Sequence, residues 1–225
     1  MNRFAVILAH NRPELLCETW CAIGPQVDAV IIIDNASSPP VDALRADGWV
    51  TAVIRIPDQP PNLSRMWNVG IDHAIDLYEA QAVREGALRV AVLCDDAPPP
   101  PGWFDAVCTA MDATGAVVGA SAPAMFSFAG PPRVKTAPDS DLAGRMPGWA
   151  WILDPMSLVR PDERFTYWWG DTSIDIDARA AGGMVLIGDH PVPNRLPDGW
   201  TGKMTDQIHL DTLAFLEKHN GWRPW

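Results

Sequence analysis

The sequence predicts an α/β fold with a mostly parallel central sheet, and two observations lead to this prediction. Short apolar runs rich in β-branched residues recur along the first half of the chain, and each is too short for a helix and ends in a turn signal. Longer segments of helical character separate these runs. Such alternation is typical of a parallel sheet with helices on its faces, so the first half is Rossmann-like with its loops at one edge.

The first half contains four predicted strands and the helices between them. Pro13 is placed at the start of the first helix, because proline is favoured at that position, and the helix continues over 15–23. A short helix follows the second strand, and a long helix covers 65–85. The strands are predicted at 4–9, 27–33, 50–56 and 90–93.

The second half has a different character. Segments 117–123 and 125–128 are predicted strands on either side of a bend, and 131–148 is predicted to be a loop or hairpin. The remaining predicted elements are an apolar strand end in 148–154, a helix over 172–181, a strand over 184–189 and an amphipathic helix over 205–222. This last helix is predicted to pack on the domain or on a partner chain and to contribute no chemistry.

Length and charge limit the possible functions. The chain of 225 residues can bury a core and has no Ser/Gly-rich linker, so a single domain is predicted. A net charge of −11 argues against nucleic acid or an anionic membrane as a partner. The apolar run at 4–9 is too short for a secretory signal, and no stretch reaches the roughly 20 apolar residues of a membrane span. We therefore expect a cytoplasmic protein. Its cysteines, without paired metal spacing, fit a reducing compartment.

Two glycine-based phosphate sites are missing from the sequence. There is no GxGxxG after the first strand and no Walker A motif. A dinucleotide dehydrogenase and a P-loop NTPase would both need such a backbone cradle for phosphate, so neither is indicated.

The segment 89–107, RVAVLCDDAPPPPGWFDAV, is the one around which the other motifs are arranged. A buried strand delivers Asp95 and Asp96 to its carboxyl end, and the prolines that follow can neither continue the strand nor start a helix. Ligands of α/β sheets bind at this edge, and paired carboxylates suit Mg²⁺ or Mn²⁺ bridging a diphosphate. The alternative is that these acids cap the next helix or face water.

The other loops at this edge offer polar side chains. Asp34 ends the second strand and can accept hydrogen bonds from a nucleobase or ribose, while Arg12 and Arg65 can pair with phosphate oxygens. The alternative for the DNASS segment at 34–38 is a local Asx-type turn.

Five motifs occur in one order over nearly the whole chain: FAVILAHNRPELL, IIIDNASS, NLSRMWNVGIDHA, VLCDDAPPPPGW and DERFTYWWGDTSIDIDARAAG. In this respect the sequence resembles the family 2 glycosyltransferases, which have the GT-A fold. The resemblance implies a Rossmann-like, mostly parallel sheet flanked by helices, with a smaller mixed sheet on the acceptor side. It also implies that 1–101 bind the nucleotide sugar, 102–205 bind the acceptor and 206–225 form a C-terminal helix.

The resemblance assigns the donor site. Residues that would hold the nucleotide and diphosphate are Ala9, Asn11, Arg12, Asp34, Asn68 and Gly70. The metal-binding DxD motif of the family falls on Cys94, Asp95 and Asp96, so a cysteine stands at its first position. Asp96 would then bind Mn²⁺ or Mg²⁺, with Asp95 as a helper. A histidine after the final strand often adds a contact, which implies His190 as a metal ligand, whereas a lone loop histidine without a role is the alternative.

The resemblance also assigns the catalytic residue. The ED motif of the family falls on Gly170 and Asp171, so Asp171 would be the general base of an inverting transfer and glycine replaces the usual glutamate. Such a base takes the proton of the acceptor hydroxyl as its oxygen attacks the anomeric carbon. The alternative for Asp171 is a helix N-cap.

Tryptophan is abundant, with 11 residues against two tyrosines. Sugars stack their C–H faces on flat aromatic rings, so tryptophans near the predicted base are candidates for the acceptor site. These are Trp149, Trp151, Trp168 and Trp169. In an extended segment Trp168 and Trp169 cannot both face inward, so we expect one of them at most to contact sugar.

The sequence thus predicts a metal-dependent inverting glycosyltransferase acting on a nucleoside diphosphate sugar and a soluble hydroxyl acceptor, either protein or glycan. Two alternatives remain open: a nucleotidyltransferase of the same fold, and a non-catalytic nucleotide- or sugar-binding module, which Cys94 in the DxD motif keeps open. The Ala- and Pro-rich composition is typical of GC-rich bacterial or phage genomes. A phage enzyme would act in the host cytoplasm.

Overall fold

The computed structural model describes residues 2–41, 50–57, 60–81, 86–137, 144–195 and 205–220. Within these residues, eight strands form one sheet and five α-helices accompany it. The strands are β1 (Asn2–Ala9), β2 (Ala29–Asp34), β3 (Val50–Arg55), β4 (Leu88–Cys94), β5 (Val118–Ser121), β6 (Arg133–Lys135), β7 (Ala150–Leu153) and β8 (Met184–Ile187). The helices are α1 (Pro13–Ile23), α2 (Leu63–Glu79), α3 (Trp103–Thr114), α4 (Gly170–Ala181) and α5 (Thr205–Lys218).

The sheet is parallel in its first half and mixed in its second. Its order is β3-β2-β1-β4-β7-β5-β8-β6, and β3, β2, β1 and β4 run parallel. Strand β7 pairs antiparallel with β4 and with β5, which joins the two halves. The predicted α/β architecture is confirmed. The smaller mixed sheet is not separate as predicted, because β7, β5, β8 and β6 continue the parallel sheet.

Alternation along the strands creates two apolar layers. On β1, Phe4, Val6 and Leu8 face one core and Ala5 and Ile7 face the other, because successive side chains of a strand point to opposite faces. Helices α2 and α4 cover the first face, whereas α1 and α3 cover the second. The central strands are therefore buried on both sides, which explains their continuous apolar runs.

The register places three strand ends together. Ala9 pairs with Asp34, and Leu8 pairs with Cys94, so β1, β2 and β4 all end at the same edge of the sheet. The polar loops that follow these strands meet there, as the sequence predicts.

Two predicted elements differ from the structure. The predicted strand at 125–128 is a 3₁₀ turn, Ala124–Phe126, which follows Pro123 and buries no side chain, so no sheet neighbour stabilises it as a strand. Helix α2 begins earlier than predicted, at Leu63, because the Asn62 side chain accepts a hydrogen bond from the Arg65 N–H and caps it; it ends at Glu79.

Some predictions fall outside the described residues. The short helix between β2 and β3 would lie in 42–49, and Trp49, which we expect in the core, is in the same segment. Among the helices that the structure describes, none combines the length and the apolar character needed to cross a membrane.

Candidate active site

A cavity of about 850 Å³ lies at the edge where the parallel strands end. Arg12 and Asp96 line it from the first half of the chain, and Trp168 and Asp171 line it from the second. Ligand cavities in proteins span roughly 300–1,000 Å³, so this one is large enough for a nucleotide-sized ligand.

The side chains of Arg12, Asp95 and Asp96 form one ionic cluster in the wall of this cavity. The Arg12 Nε donates to Oδ2 of Asp95 at 3.1 Å, and Nη1 donates to Oδ2 of Asp96 at 3.0 Å. Nη2 lies 2.5 Å from Oδ1 of Asp95, an ionic contact without the alignment of a hydrogen bond. The guanidinium thus bridges both carboxylates.

Asp95 also organises the surrounding loops. Its Oδ2 accepts a hydrogen bond from the His10 backbone N–H at 3.1 Å, and its carbonyl oxygen accepts one from the Thr19 hydroxyl at 2.8 Å. Burial raises the pKa of Asp95 to about 6, although Arg12 opposes this shift. Since Asp95 is fully buried, it fastens the loop after β1 to the end of β4 rather than presenting itself to a ligand.

The loops after β1 and β2 are tied together at Asn11. The Asn11 N–H donates to the Ser37 hydroxyl at 3.1 Å, and its Oδ1 accepts from the Ser38 N–H at 2.7 Å. Asn11 and Ala9 both line the cavity, as predicted donor-site residues should.

Asp34 lies outside the cavity wall, and its neighbour Asn35 lines the cavity instead. Asp34 Oδ1 accepts from the Ser37 N–H at 2.9 Å, and Oδ2 accepts from Arg55 Nη1 at 2.7 Å. The alternative of a local turn therefore describes Asp34 better than a direct contact with a base or ribose.

Three further predicted donor-site residues on α2 also lie outside the cavity wall. Arg65 is exposed, and Asn68 donates to the Pro161 carbonyl and to Glu163, so it holds a neighbouring loop. Gly70 is buried against β1, where an added Cβ would overlap the Val6 side chain. Gly70 thus permits close helix–sheet packing rather than the approach of a diphosphate.

Asp96 fits a divalent ion only in part. Its carboxylate is a hard oxygen ligand, and Mg²⁺ in such sites keeps water and phosphate oxygens in its remaining positions. Within the described part of the chain, no three His, Cys, Asp or Glu side chains gather into a metal-binding group. Burial raises the pKa of the Cys94 thiol, so it stays neutral and is a poor ligand. The residues present therefore fit an ion that completes its shell with ligand oxygens.

His190 is not part of this arrangement. It does not line the cavity, and its Nδ1 lies 3.3 Å from Oδ2 of the neighbouring Asp189. The prediction that His190 binds the metal has no support in this geometry.

Asp171 lines the cavity from the first turn of α4. Burial raises its pKa, Asp175 raises it further, and the Thr172 N–H, which donates to Oδ1 at 2.8 Å, lowers it. The N-cap of α4 is Trp169, so the alternative that Asp171 itself caps the helix is wrong. A carboxylate with a raised pKa at a cavity wall has the properties of a general base.

Two glycines leave room for this part of the site. An added Cβ at Gly148 would overlap the Asp171 carboxylate, and one at Gly170 would lie 2.8 Å from the Ser64 hydroxyl and 3.0 Å from the Trp67 ring. A side chain at position 170 would therefore crowd Ser64 and Trp67.

From the prediction that Asp171 is the general base, we expect the replacement of Gly148 with Ala to lower turnover strongly while leaving nucleotide affinity within about twofold. The new methyl group would push the Asp171 carboxylate aside, and misplacement of a catalytic group by about 1 Å can cost on the order of 100-fold. Single-turnover kinetics and calorimetric titration of the nucleotide would measure the two effects. Leu158→Ala, at a fully exposed position outside the cavity wall, is the control; equal turnover in the two variants would contradict the prediction.

Three of the four predicted acceptor-site tryptophans line the cavity: Trp149, Trp168 and Trp169. Trp151 does not, because it is fully buried in the core and packs edge-on against Trp67 at 5.7 Å. Its assignment to the acceptor site is therefore corrected.

Trp168 and Trp169 both reach the cavity, against the expectation for an extended segment. Trp169 has a φ of 67°, a left-handed conformation that turns the chain, and the two rings meet edge-on at 6.1 Å. This turn brings both side chains to one side of the backbone.

Solved structures share this arrangement of strands and helices. S. aureus TarS 1-349 in complex with UDP superposes with a TM-score of 0.62 at 13% identity, covering 96% of this chain and 66% of that one. The complex of TarS 1-349 with UDP-GlcNAc gives 0.62 at 12%, covering 96% and 67%, and S. aureus TarS gives 0.60 at 12%, covering 96% and 40%. TarS is a GT-A glycosyltransferase of family 2. The chain has the GT-A fold. No family model matches the sequence, and the search of curated proteins found no match.

Helix α5 supports the aromatic wall of this GT-A cavity. The buried Asp211 accepts hydrogen bonds from the backbone N–H groups of Thr166, Tyr167 and Trp168 at 3.2, 2.8 and 2.7 Å. The indole of Trp169 donates to the Thr212 hydroxyl at 2.9 Å. The last helix packs on the domain, one of the two predicted possibilities, and it also positions the loop ahead of α4.

The GT-A fold also brings to the cavity residues that the sequence did not single out. His10 belongs to the loop after β1, where its Nδ1 lies 2.5 Å from the Asn35 carbonyl oxygen. Its position next to Asn11 in the sequence is the signal that could have identified it as a site residue. Trp67 is buried in the core, yet its edge reaches the cavity. Others are Arg145, Thr172 and Asn194, which no local pattern distinguishes.

Proposed function

We propose that this protein is an inverting glycosyltransferase that moves a sugar from a nucleoside diphosphate sugar to a hydroxyl acceptor. One observation carries the proposal: a single cavity brings the Arg12, Asp95 and Asp96 cluster of the first half together with Asp171 and the tryptophans of the second half. A transferase of this kind needs a charged site for the diphosphate and a separate base beside the acceptor, and the two halves of the cavity offer these.

The donor would lie against the loops after β1, β2 and β4. Ala9, Asn11 and Asn35 line the nucleotide end, and the Arg12 guanidinium is the cationic group nearest the acids. Asp96 would hold Mn²⁺ or Mg²⁺, whose charge offsets the negative charge that builds on the departing diphosphate. UDP is the first nucleotide to test, since the structures of TarS complexes contain UDP and UDP-GlcNAc.

Asp171 would act as the general base. The acceptor hydroxyl gives its proton to the Asp171 carboxylate as its oxygen forms a bond to the anomeric carbon, and the bond from that carbon to the diphosphate oxygen breaks. Attack from the face opposite the diphosphate inverts the configuration. Trp149, Trp168 and Trp169 would stack on the acceptor, a soluble protein or glycan in the cytoplasm.

Saturating UDP with Mn²⁺ is expected to raise the melting temperature of the wild type by about 5–10 °C. At a hundred times Kd the free energy of unfolding rises by about 2.7 kcal/mol, and for a chain of this size each kcal/mol corresponds to about 2–4 °C. Asp96→Ala should lose this rise in melting temperature. Asp105→Ala should keep it, because Asp105 is an exposed acid in α3 that pairs with Arg3, away from the carboxyl ends of the strands. Differential scanning fluorimetry with UDP, GDP, ADP and CDP would measure these shifts.

The outcomes separate the proposed function from its alternatives. Nucleotide binding followed by turnover of a diphosphate sugar supports the transferase, whereas pyrophosphate release from a nucleoside triphosphate would point to a nucleotidyltransferase. Binding with no turnover against any acceptor would favour the non-catalytic module. If no nucleotide changes the melting temperature, the proposed function is wrong.

A further inference from the structure

Arg12 holds its two acidic partners unequally. It makes a two-point contact with Asp95 through Nε and Nη2 but a single contact with Asp96 through Nη1. Asp95 is also fixed by the His10 N–H. The Arg12–Asp96 contact is therefore the one that can break while Arg12 stays anchored on Asp95.

Arg12 also faces the cavity. Its side chain is 35% exposed, whereas those of Asp95 and Asp96 are 1% and 7% exposed. Two of the five guanidinium N–H groups donate to the acids, and Nη2 makes an ionic contact with Asp95, so further N–H groups remain for a ligand in the cavity. Phosphate oxygens suit such a planar fork as well as carboxylate oxygens do.

The charges of this cluster oppose the binding of either ligand alone. Two carboxylates and one guanidinium leave the cluster with a net charge of −1, which repels a free diphosphate. A free divalent ion that approaches Asp96 meets the Arg12 guanidinium already bound to the same carboxylate, 3.0 Å from Oδ2. Both penalties are smaller when an ion and a diphosphate arrive together, because the ion offsets part of the diphosphate charge and the diphosphate offers Arg12 another acceptor.

We propose that Arg12 makes metal binding at Asp96 conditional on a nucleoside diphosphate. The diphosphate takes over Nη1 of Arg12, Asp96 is released to bind the ion, and Asp95 keeps the guanidinium in place throughout. This inference rests on the proposed function, because it needs a diphosphate in this cavity. Its consequence is that the ion enters with the donor and leaves with the nucleotide.

The test measures Mn²⁺ binding directly, through the electron paramagnetic resonance signal of free Mn²⁺, with and without UDP. A protein-free mixture of Mn²⁺ and UDP is the blank, because the diphosphate itself chelates the ion. In the wild type we expect UDP to tighten Mn²⁺ binding by about 5- to 150-fold, the usual range of coupling between two ligands.

Arg12→Gln removes the competing charge, so this variant is expected to bind Mn²⁺ without UDP more tightly than the wild type does. Its coupling should be smaller than that of the wild type, and what remains comes from the diphosphate oxygens that bind the ion directly. Arg3→Gln is the matched control: Arg3 pairs with Asp105 at the other end of β1, and its loss should leave the wild-type coupling. Circular dichroism checks that each variant folds. If Arg12→Gln does not fold, Arg12→Lys replaces it, because lysine keeps the positive charge but lacks the planar guanidinium. Arg12→Lys should show a weaker coupling than the wild type.

Failure of this inference can be told apart from failure of the proposed function. Wild-type protein that binds UDP, and binds Mn²⁺ equally well with and without it, would overturn the role of Arg12 and leave the transferase proposal standing. Full coupling in Arg12→Gln would likewise overturn the role of Arg12 and leave the transferase proposal standing. Wild-type protein that binds neither UDP nor the pair would overturn both.

Discussion

Replacing Asp171 with Asn is expected to abolish sugar transfer while leaving nucleotide binding intact. The amide has nearly the same shape and still accepts the Thr172 N–H, but it cannot take the proton of the acceptor hydroxyl. Loss of a general base lowers kcat by about 10²–10⁴. Release of nucleoside diphosphate from the donor, in the presence of an acceptor found by screening the wild type, would measure this loss.

Asp177→Asn provides the matched control for that experiment. Asp177 lies on the same helix, pairs with Lys218 at 2.6 Å and does not line the cavity, so its substitution should leave kcat within about threefold. If Asp171→Asn and Asp177→Asn have the same kcat, Asp171 is not the base. If Asp171→Asn also loses nucleotide binding, the residue acts on the donor instead.

The raised pKa of Asp171 predicts the pH dependence of the reaction. A general base must be deprotonated, and an acid whose pKa is raised by burial takes up its proton at a higher pH than an ordinary Asp, whose pKa is about 3.9. We therefore expect kcat/KM to fall with decreasing pH at a midpoint above about 4. Burial also raises the pKa of Asp95, to about 6, so its protonation could affect the reaction over the same pH range. Measuring nucleotide affinity at each pH separates the two effects, because Asp95 belongs to the donor side of the cavity. A midpoint below pH 4 would contradict the prediction.

Replacing Asp211 with Ala is expected to cost about 3 kcal/mol of folding free energy and to remove activity. Three backbone N–H groups at 166–168 would lose their acceptor, and each unsatisfied buried donor costs about 1–3 kcal/mol before water enters. For a chain of this size the melting temperature should fall by about 6–12 °C. Urea unfolding, followed by circular dichroism, would measure the change in stability.

Two further variants make this prediction specific. Asp211→Asn keeps one acceptor oxygen and should lie between the wild type and Asp211→Ala in stability. Asp206→Ala, on the exposed first turn of α5, removes the same side chain without touching the loop and should cost no more than about 1 kcal/mol. If Asp211→Ala unfolds at the same urea concentration as Asp206→Ala, the loop does not depend on this carboxylate.

Strand β7 shows how much of the candidate site the local sequence can predict. Trp149 and Trp151 are two positions apart, and the sequence predicts both at the acceptor site because both are near the predicted base. In the structure β7 begins at Ala150, and Trp149 precedes it in a turn with its indole donating to the Val192 carbonyl. The strand boundary, which local pattern does not locate, puts only Trp151 in the core.

Asp211 shows what the sequence could not reveal at all. An acidic residue on an amphipathic helix is ordinarily expected to face water. Asp211 is 43–45 positions away from the backbone N–H groups whose hydrogen bonds it accepts. Nothing in the intervening residues indicates the contact. It exists because α5 packs against the loop ahead of α4, with Phe215 beside the Trp169 ring at 5.1 Å.

The sequence by itself determined the alternation of strands and helices in the first half and the edge of the sheet at which the polar loops meet. It could do so because burial on both faces demands apolar, β-branched strands, and because parallel strands deliver the residues that follow them to one edge. The tertiary structure decided which of those side chains face the cavity. Arg12 bridges Asp95 and Asp96, while Asp34 pairs with Arg55. Both sets of contacts depend on how the fold places segments that are far apart in the chain.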